Sequence, residues 1–497
     1  MNSIKKNYIF NLLNTVTSLL FPLVTFPYAS RIMLADGIGQ VNFFQSIINY
    51  IVLLSSIGIP LYAIRESASV RNDKKELSRV CLEIVILHTS LTALGYLAVG
   101  IICMTVAKVT VDIPLFLLLS TTIFFNAIGC NWLFQGVEDF KYITIRGIVV
   151  RLLAILLLFV FVRTRDDLMW YAGFTVLGTV GGNVFNLWRM RRYIKPRLHR
   201  LGELRPLRHL VPSLRIFVLN LIISIYVNLD MVMLGFMKDS TAVGYYTAAS
   251  KITTVLMGVV SSLGTVMLPR LSNLIHEGRM EEFNRLSRKA IDFVFTFSTP
   301  LFIGLIVLAP SLIHLFCGQS YEPAIRTLMI ISPVMLIIGL SNVMGIQVLY
   351  PQRKENLVIY STAVGAVINF SLNCLLIPKY AQDGAAIATV VAETGVTLTM
   401  SIIGAKYIPF RLFNRQNLIV ILASIVMMIP CIIVRNYIVS DTFLLLLIPI
   451  IGCIIYVSII YILGQNSIVD EVCCIVKDIR IKQIKKYKEN DNNIKGA

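Results

Sequence analysis

Arg146, Arg151 and Lys251 stand inside long apolar runs of this chain, as do Asp230, Glu393 and His88. An ionisable side chain at bilayer depth costs several kcal/mol, so it faces either a watery cavity or a partner. Arg151 falls about eight residues into its run, roughly 12 Å from the nearer end at 1.5 Å per residue. Arg146 is closer to that end, where it either faces a cavity or snorkels to the interface. Lys251 lies at a similar depth, counted from the opposite side, and Asp230 in the preceding run is deep enough to form a buried ion pair with it, an arrangement as much structural as functional. Glu393 is the deepest acid, suited either to carrying a proton or cation or to hydrogen-bonded packing. Arg31, Arg65 and Arg215 sit at run ends, where most such residues mark the interface. A lone His88 reads as a satisfied core residue rather than a proton relay. The candidates are mostly cationic.

Other chemistries find no footing. All nine cysteines lie inside or beside apolar runs or in the tail, without metal-ligand spacing, and Cys473 with Cys474 has no second pair to complete a site. They read as small packing residues. The chain has no Gly-x-x-x-x-Gly-Lys-Ser/Thr, His-Glu-x-x-His or Gly-x-Ser-x-Gly. Its loops are too short for a soluble catalytic domain to fold. We therefore expect no metal, no cofactor and no enzyme, which leaves transport, or catalysis wholly within the membrane.

The elements that position these residues follow from composition. With 497 residues, 56% hydrophobic, 14% charged and mean hydropathy +0.77, the chain is too apolar for a soluble protein of this size. A membrane span takes about 20 apolar residues, and only a helix satisfies its own backbone there. About fourteen such runs lie between 8–30 and 442–464. Of the 45 lysines and arginines, 35 fall on alternate loops and the two tails, and 8 on the loops between them. By the positive-inside rule this places both termini in the cytoplasm of an all-α polytopic membrane protein with an even helix count. The net charge of +18 is thus topological and calls for no nucleic-acid partner. The first run continues through Thr25, Phe26 and Pro27 to Arg31 without a small-residue cleavage site, so it is expected to remain as a helix.

Two six-helix lobes are expected: an N-terminal lobe at 1–195 and a C-terminal lobe at 209–408, joined by an amphipathic connector at 196–208. Helices 13 and 14 follow at 409–464, then a basic amphipathic tail at 465–497, either anchored on the inner leaflet or solvated. The inner loops of each half repeat a rhythm of five then two basic residues, at 65–79 and 141–146, then 270–289 and 353–354. An echo accompanies it, Met33-Leu34, Ile38-Gly39 and Phe43-Phe44 against Met233-Leu234, Val243-Gly244 and Tyr245-Tyr246. Like-oriented halves of this kind place a site between lobes in transporters. Pro22 and Pro27 are expected to interrupt helix 1 and Pro60 to end helix 2, with Pro300, Pro333, Pro430 and Pro449 in later helices, serving either cavity-lining kinks or packing.

The run Asn14 through Phe21-Pro22 to Phe26-Pro27-Tyr28-Ala29-Ser30-Arg31, then Gly37-Ile38-Gly39, Gly58-Ile59-Pro60 and Tyr62-Ala63-Ile64-Arg65-Glu66, resembles the start of bacterial oligosaccharide repeat-unit flippases. These belong to the multidrug/oligosaccharidyl-lipid/polysaccharide exporter superfamily. Asn131-Trp132-Leu133-Phe134-Gln135-Gly136, Asp230 to Gly235, Gly244-Tyr245-Tyr246 with Lys251, Leu268-Pro269-Arg270, Asn369 to Pro378 and Asp383-Gly384-Ala385-Ala386 are similar to that family too. The likeness spans about residues 8–405. It implies a MATE-like architecture, two six-helix lobes around a central cationic cavity plus two C-terminal helices. It also implies export of an undecaprenyl-diphosphate-linked oligosaccharide from inner to outer leaflet, at the bacterial cytoplasmic membrane, for surface polysaccharide. Its substrate-binding cations map to Arg31, Arg65, Arg146, Arg151 and Lys251, with Asp230 and Glu393 as a coupling or structural pair. A diphosphate carries about two negative charges, each favoured outward by roughly 2.3 kcal/mol per 100 mV when the cytoplasm is negative. The expected partners are the lipid-linked oligosaccharide, membrane lipids and a polysaccharide polymerase with other assembly proteins, around a monomeric transport unit. Two rivals remain: a drug or cation antiporter of the same superfamily, which wants a carboxylate in the N-terminal lobe where helix 1 has none, and a membrane polysaccharide polymerase, which wants a large basic outer loop.

Overall fold

A computed structural model describes residues 2–195, 201–410, 412, 414–438 and 440–463. Among these there are no strands. The helices run α1 Asn2–Ser56, α2 Ile59–Ser69, α3 Lys74–Thr105, α4 Ala107–Thr110, α5 Ile113–Gly129, α6 Asn131–Gly136, α7 Phe140–Phe161, α8 Leu168–Val176 and α9 Asn183–Met190. After the connector come α10 Leu210–Met237, α11 Ser240–His276, α12 Met280–Cys317, α13 Pro323–Ile331, α14 Val334–Asn342, α15 Glu355–Ile403, α16 Arg415–Tyr437 and α17 Asp441–Leu463. A π-turn at Leu177–Gly181 joins α8 to α9, and a second follows α14 at Val343–Leu349. Residues 196–200 of the expected connector and the tail helix expected within 465–497 lie outside the described residues.

Nine of the described helical segments are long and apolar enough to cross a membrane. Two of the nine are each a pair of helices joined at one non-helical residue, Leu34 (φ 55°) in α1 and Ala381 (φ 48°) in α15. They make eleven stretches, and α8 with α9, α10 and α11 bring the total to the fourteen expected. The chain is a multi-pass, all-helical membrane protein.

Pro300, Pro430 and Pro449 lie inside α12, α16 and α17 as expected, but the earlier prolines act differently. Pro22 and Pro27 both lie within α1, whose break comes later, at Leu34. Neighbouring helices and local adjustment let a membrane helix absorb a proline. Pro60 opens α2 instead of ending the helix before it: Gly58 takes the left-handed conformation (φ 70°), and Pro60 then occupies the first turn, where its missing N–H is no loss.

The chain packs as two compact units that do not follow sequence order. The first comprises Met1–Lys251, Ile313–Thr327 and Thr362–Ala392, and the second Ile252–Leu312, Leu328–Ser361 and Glu393–Ala497. The first unit contains a buried cluster of Ile59, Tyr62, Leu77, Ile84, Trp132 and Leu133. In it, the two glycines of the sequence echo touch reciprocally. A Cβ on Gly39 would lie 1.6 Å from the Ser240 carbonyl oxygen, and one on Gly244 would lie 1.9 Å from that of Ala35. The two glycines hold matching places in the echo, and each meets the backbone of the segment that carries the other. Small residues let membrane helices meet backbone to backbone in this way. The second unit is built on Phe283, Phe295, Met344, Leu349, Met400 and Tyr456. The Tyr456 hydroxyl donates to the Thr296 carbonyl at 2.7 Å.

Candidate anion-binding site

Helix α7 brings Arg146 and Arg151 to one small cavity of about 140 Å³ within the first unit. They are five positions apart, about 1.4 turns along a 3.6-residue helix and about 140° around it, and both long side chains reach the cavity wall. Arg146 donates through one terminal nitrogen to Asn186 Oδ1 and through the other to Asn131 Oδ1 at 3.0 Å. Its Nε is buried and has no partner. Arg151 donates to Asn14 Oδ1 at 3.1 Å and to Thr17 Oγ1 at 3.0 Å. Asn186 Nδ2 is in turn fixed on the Gly129 carbonyl and on Asn131 Oδ1, and Asn131 Nδ2 on Asn183 Oδ1 at 3.0 Å. Two guanidinium groups are therefore oriented by a network of neutral amides and a hydroxyl. No carboxylate is among the described residues lining this cavity. Guanidinium stays protonated under these conditions, so the cavity holds uncompensated positive charge.

Arg31 and Lys251 form a separate group. The guanidinium of Arg31 donates to the Leu315 carbonyl, near the C-terminal end of α12 where backbone oxygens lack helical partners. The Lys251 ammonium sits 4.3 Å from the centroid of the Phe26 ring, a cation–π contact, and Phe26 stacks on Phe316. Arg65 stands apart, with its side chain 70% exposed, 3.6 Å from Glu66 and over the Tyr62 ring. The five expected cations are thus two pairs and one singlet.

The ion pair expected between Asp230 and Lys251 is not formed. Asp230 is buried and accepts from Tyr246 Oη, from Thr389 Oγ1 at 2.6 Å, from Asn369 Nδ2 at 3.1 Å and from Asn373 Nδ2 at 2.7 Å. Four neutral donors on α11 and α15 satisfy the carboxylate without a counter-charge. Glu393 is buried as well, in the second unit. Sequence reasoning passed over the amides around both arginines and around Asp230, although Asn369 and Asn373 are spaced one turn apart in an apolar run. It also missed Glu83, whose side chain is fully buried in α3. Glu83 accepts from Arg208 Nε at 2.7 Å and the Arg205 backbone N–H at 2.9 Å, and lies 2.9 Å from His209 Nε2, fastening the connector to the first unit.

A family model described as polysaccharide biosynthesis protein matches residues 4–275, more than half of the chain. The chain belongs to this polysaccharide biosynthesis family. A second model, MatE, matches residues 216–375. One relative is a protein of Escherichia coli (strain K12) named "Putative O-antigen transporter", 26% identical over 408 residues that cover 80% of this chain and 96% of that protein. Among solved structures, lipid II flippase MurJ in an inward closed conformation aligns with TM-score 0.69 and 17% identity, over 92% of this chain and 98% of that one. An inward-facing multidrug resistance MATE transporter of the MOP superfamily aligns with TM-score 0.63 and 15% identity, over 78% and 94%. This family member has the fold of those transporters, as the sequence resemblance implied.

Proposed function

We propose that this protein is a flippase that carries an oligosaccharide on an undecaprenyl-diphosphate anchor from the inner to the outer leaflet of the bacterial cytoplasmic membrane by alternating access, for surface polysaccharide assembly. The observation that supports this reading best is the uncompensated charge of Arg146 and Arg151. A cation already paired with a carboxylate has little attraction left for a phosphate, whereas one held by amides keeps its full field. Membership in a polysaccharide biosynthesis family fits the glycan, and the relative named as an O-antigen transporter fits its export. The loop charges favour cytoplasmic termini, and the transport unit is taken as one chain, handing its cargo to a polymerase and other assembly proteins.

The direct test uses proteoliposomes loaded with a lipid-linked oligosaccharide whose arrival at the outer leaflet is read by a lectin or a glycosidase. Wild-type protein should accelerate translocation, and an Arg146→Ala, Arg151→Ala double variant should slow it at least tenfold. Imposing an inside-negative potential should speed outward movement relative to a potential clamped at zero. No acceleration over empty liposomes would overturn the reading, and indifference to voltage would remove its driving force.

A further inference from the structure

We infer that the second unit holds one aminophospholipid, a lipid whose headgroup joins a phosphate to a primary ammonium. Its crevice lies between the first turns of α12, the π-turn of 343–349 and the connection from α15 to α16. The inference goes beyond the flippase reading, because this lipid is a resident of the protein and its binding requires no transport. The crevice encloses about 1080 Å³, and a neighbouring hollow of about 430 Å³ shares Arg288 and Asp292 with it. Every residue lining either one belongs to the second unit.

Depth and lining select a lipid. Helix α12 has 38 residues, about 57 Å at 1.5 Å per residue against roughly 30 Å of hydrocarbon, so its charged first turns stand at headgroup level. Loop charge assigns that end to the cytoplasmic leaflet. The crevice could take about 36 waters at roughly 30 Å³ each, yet Ile291, Met344, Ile408 and Leu412 on its walls offer water no hydrogen bonds. Acyl chains lose nothing against such walls. The connection that closes the crevice is fastened along its length. Gln352 Nε2 donates to the Tyr407 carbonyl at 3.0 Å, Arg288 Nε to the Pro409 carbonyl at 3.1 Å and Asn417 Nδ2 to the Leu412 carbonyl at 2.9 Å. Asn414 caps α16 by accepting from the Asn417 N–H at 2.7 Å, and its Nδ2 reaches Asp292 Oδ1 at 3.4 Å.

The charges choose the headgroup. Arg288 and Asp292 stand four residues apart on one face of α12, a spacing that sets Cβ atoms about 6 Å from each other. Each spends one hydrogen bond on the α15–α16 connection, and among the described residues the terminal nitrogens of Arg288 and Oδ2 of Asp292 have no further hydrogen bond. Arg285, one turn before Arg288, lines the adjoining hollow. Glu281 and Lys289 add one charge of each sign there, so the wall is mixed rather than basic. A phosphate between the two guanidinium groups sets an ammonium two carbons away against the carboxylate. A purely anionic headgroup would bring its charge against Asp292, and free phosphate would leave the apolar walls bare.

The test is native mass spectrometry of the full chain released from nanodiscs of equimolar phosphatidylethanolamine, phosphatidylglycerol and phosphatidylcholine with matched acyl chains. Wild-type protein should retain one phosphatidylethanolamine per chain, about tenfold over either competitor, the scale of one charge-assisted hydrogen bond. Phosphatidylcholine should compete poorly because its quaternary ammonium has no N–H to give Asp292. Asp292→Asn, of the same shape, should bring phosphatidylglycerol level with phosphatidylethanolamine, and Arg285→Gln with Arg288→Gln should lose all three lipids. Arg270→Gln, an exposed basic residue outside both cavities, should retain lipid as the wild type does. Wild-type protein that retains no lipid at fixed stoichiometry, or takes either competitor as readily, overturns the inference without any variant having to fold. A monodisperse Asp292→Asn protein that keeps the wild-type preference overturns it too. None of these readouts involves oligosaccharide, so failure of the flippase reading would leave them unchanged.

Discussion

Replacing Asp230 by Ala should destabilise the first unit through the donors it leaves behind. Four hydrogen bonds converge on this carboxylate, but three of the donors have an alternative acceptor at hand. Thr389 Oγ1 lies 2.9 Å from the Ala385 carbonyl, Asn373 Nδ2 lies 3.1 Å from Asn369 Oδ1, and Tyr246 Oη lies 3.2 Å from Thr389 Oγ1. Asn369 loses a charged acceptor, and a buried donor deprived of its acceptor costs about 1–3 kcal/mol. The loss should then be about 1–3 kcal/mol, against about 0.5–1.5 kcal/mol for Tyr246→Phe, which leaves the carboxylate three donors. A body of this size shifts its midpoint by roughly 2 °C per kcal/mol. Thermal unfolding of the detergent-solubilised protein should therefore fall by about 2–6 °C for Asp230→Ala and about 1–3 °C for Tyr246→Phe. Equal shifts for the two, or no shift for Asp230→Ala, would refute the view that the carboxylate is the organising centre of this network.

Further outcomes follow from the same geometry. Gly39→Ala should collapse the yield of monodisperse protein in size-exclusion chromatography, because its Cβ would overlap the Ser240 carbonyl oxygen. Gly100→Ala, with nothing within 4 Å of its Cβ, should instead be neutral or stabilising by up to about 1 kcal/mol in thermal unfolding. Glu83→Ala should free the connector, and limited trypsin digestion should then cut after Arg208 faster than in the wild type, the Arg205–Pro206 bond being resistant to trypsin.

Much of the fold was legible because hydropathy and loop charge both report position along the membrane normal. Fourteen stretches and the helical class follow from that one coordinate. Rotation about each helix axis is a second coordinate, and it decides partners: Asp230 and Lys251, expected at one depth, meet different neighbours, because each residue turns the side chain by about 100°. The amide cradle was illegible for another reason. Asn14, Asn131 and Asn186 carry no charge, so a search for ionisable groups passes over them, although they are what hold the arginines in place. Glu83 was hidden by distance in the chain, since the connector it fastens lies more than a hundred residues downstream. The echo of Gly39 in Gly244 was visible, but only packing shows that the two copies touch.

The neutral character of the cradle makes a prediction about activity. Asn186→Asp would set a carboxylate directly against Arg146. At an effective dielectric of about 20, unit charges 4 Å apart attract by about 4 kcal/mol, an attraction that an incoming phosphate would have to displace. At 1.36 kcal/mol per tenfold this is on the order of a thousandfold in affinity for the anion. The variant should thus lose most restoration of surface polysaccharide in a strain lacking its own exporter, while its thermal midpoint reads the new ion pair against the loss of the amide donor to the Gly129 carbonyl and Asn131 Oδ1. A stable Asn186→Asp protein that restores polysaccharide as the wild type does would show that the charge on Arg146 is structural, since neutralising it would then be without consequence for the cargo.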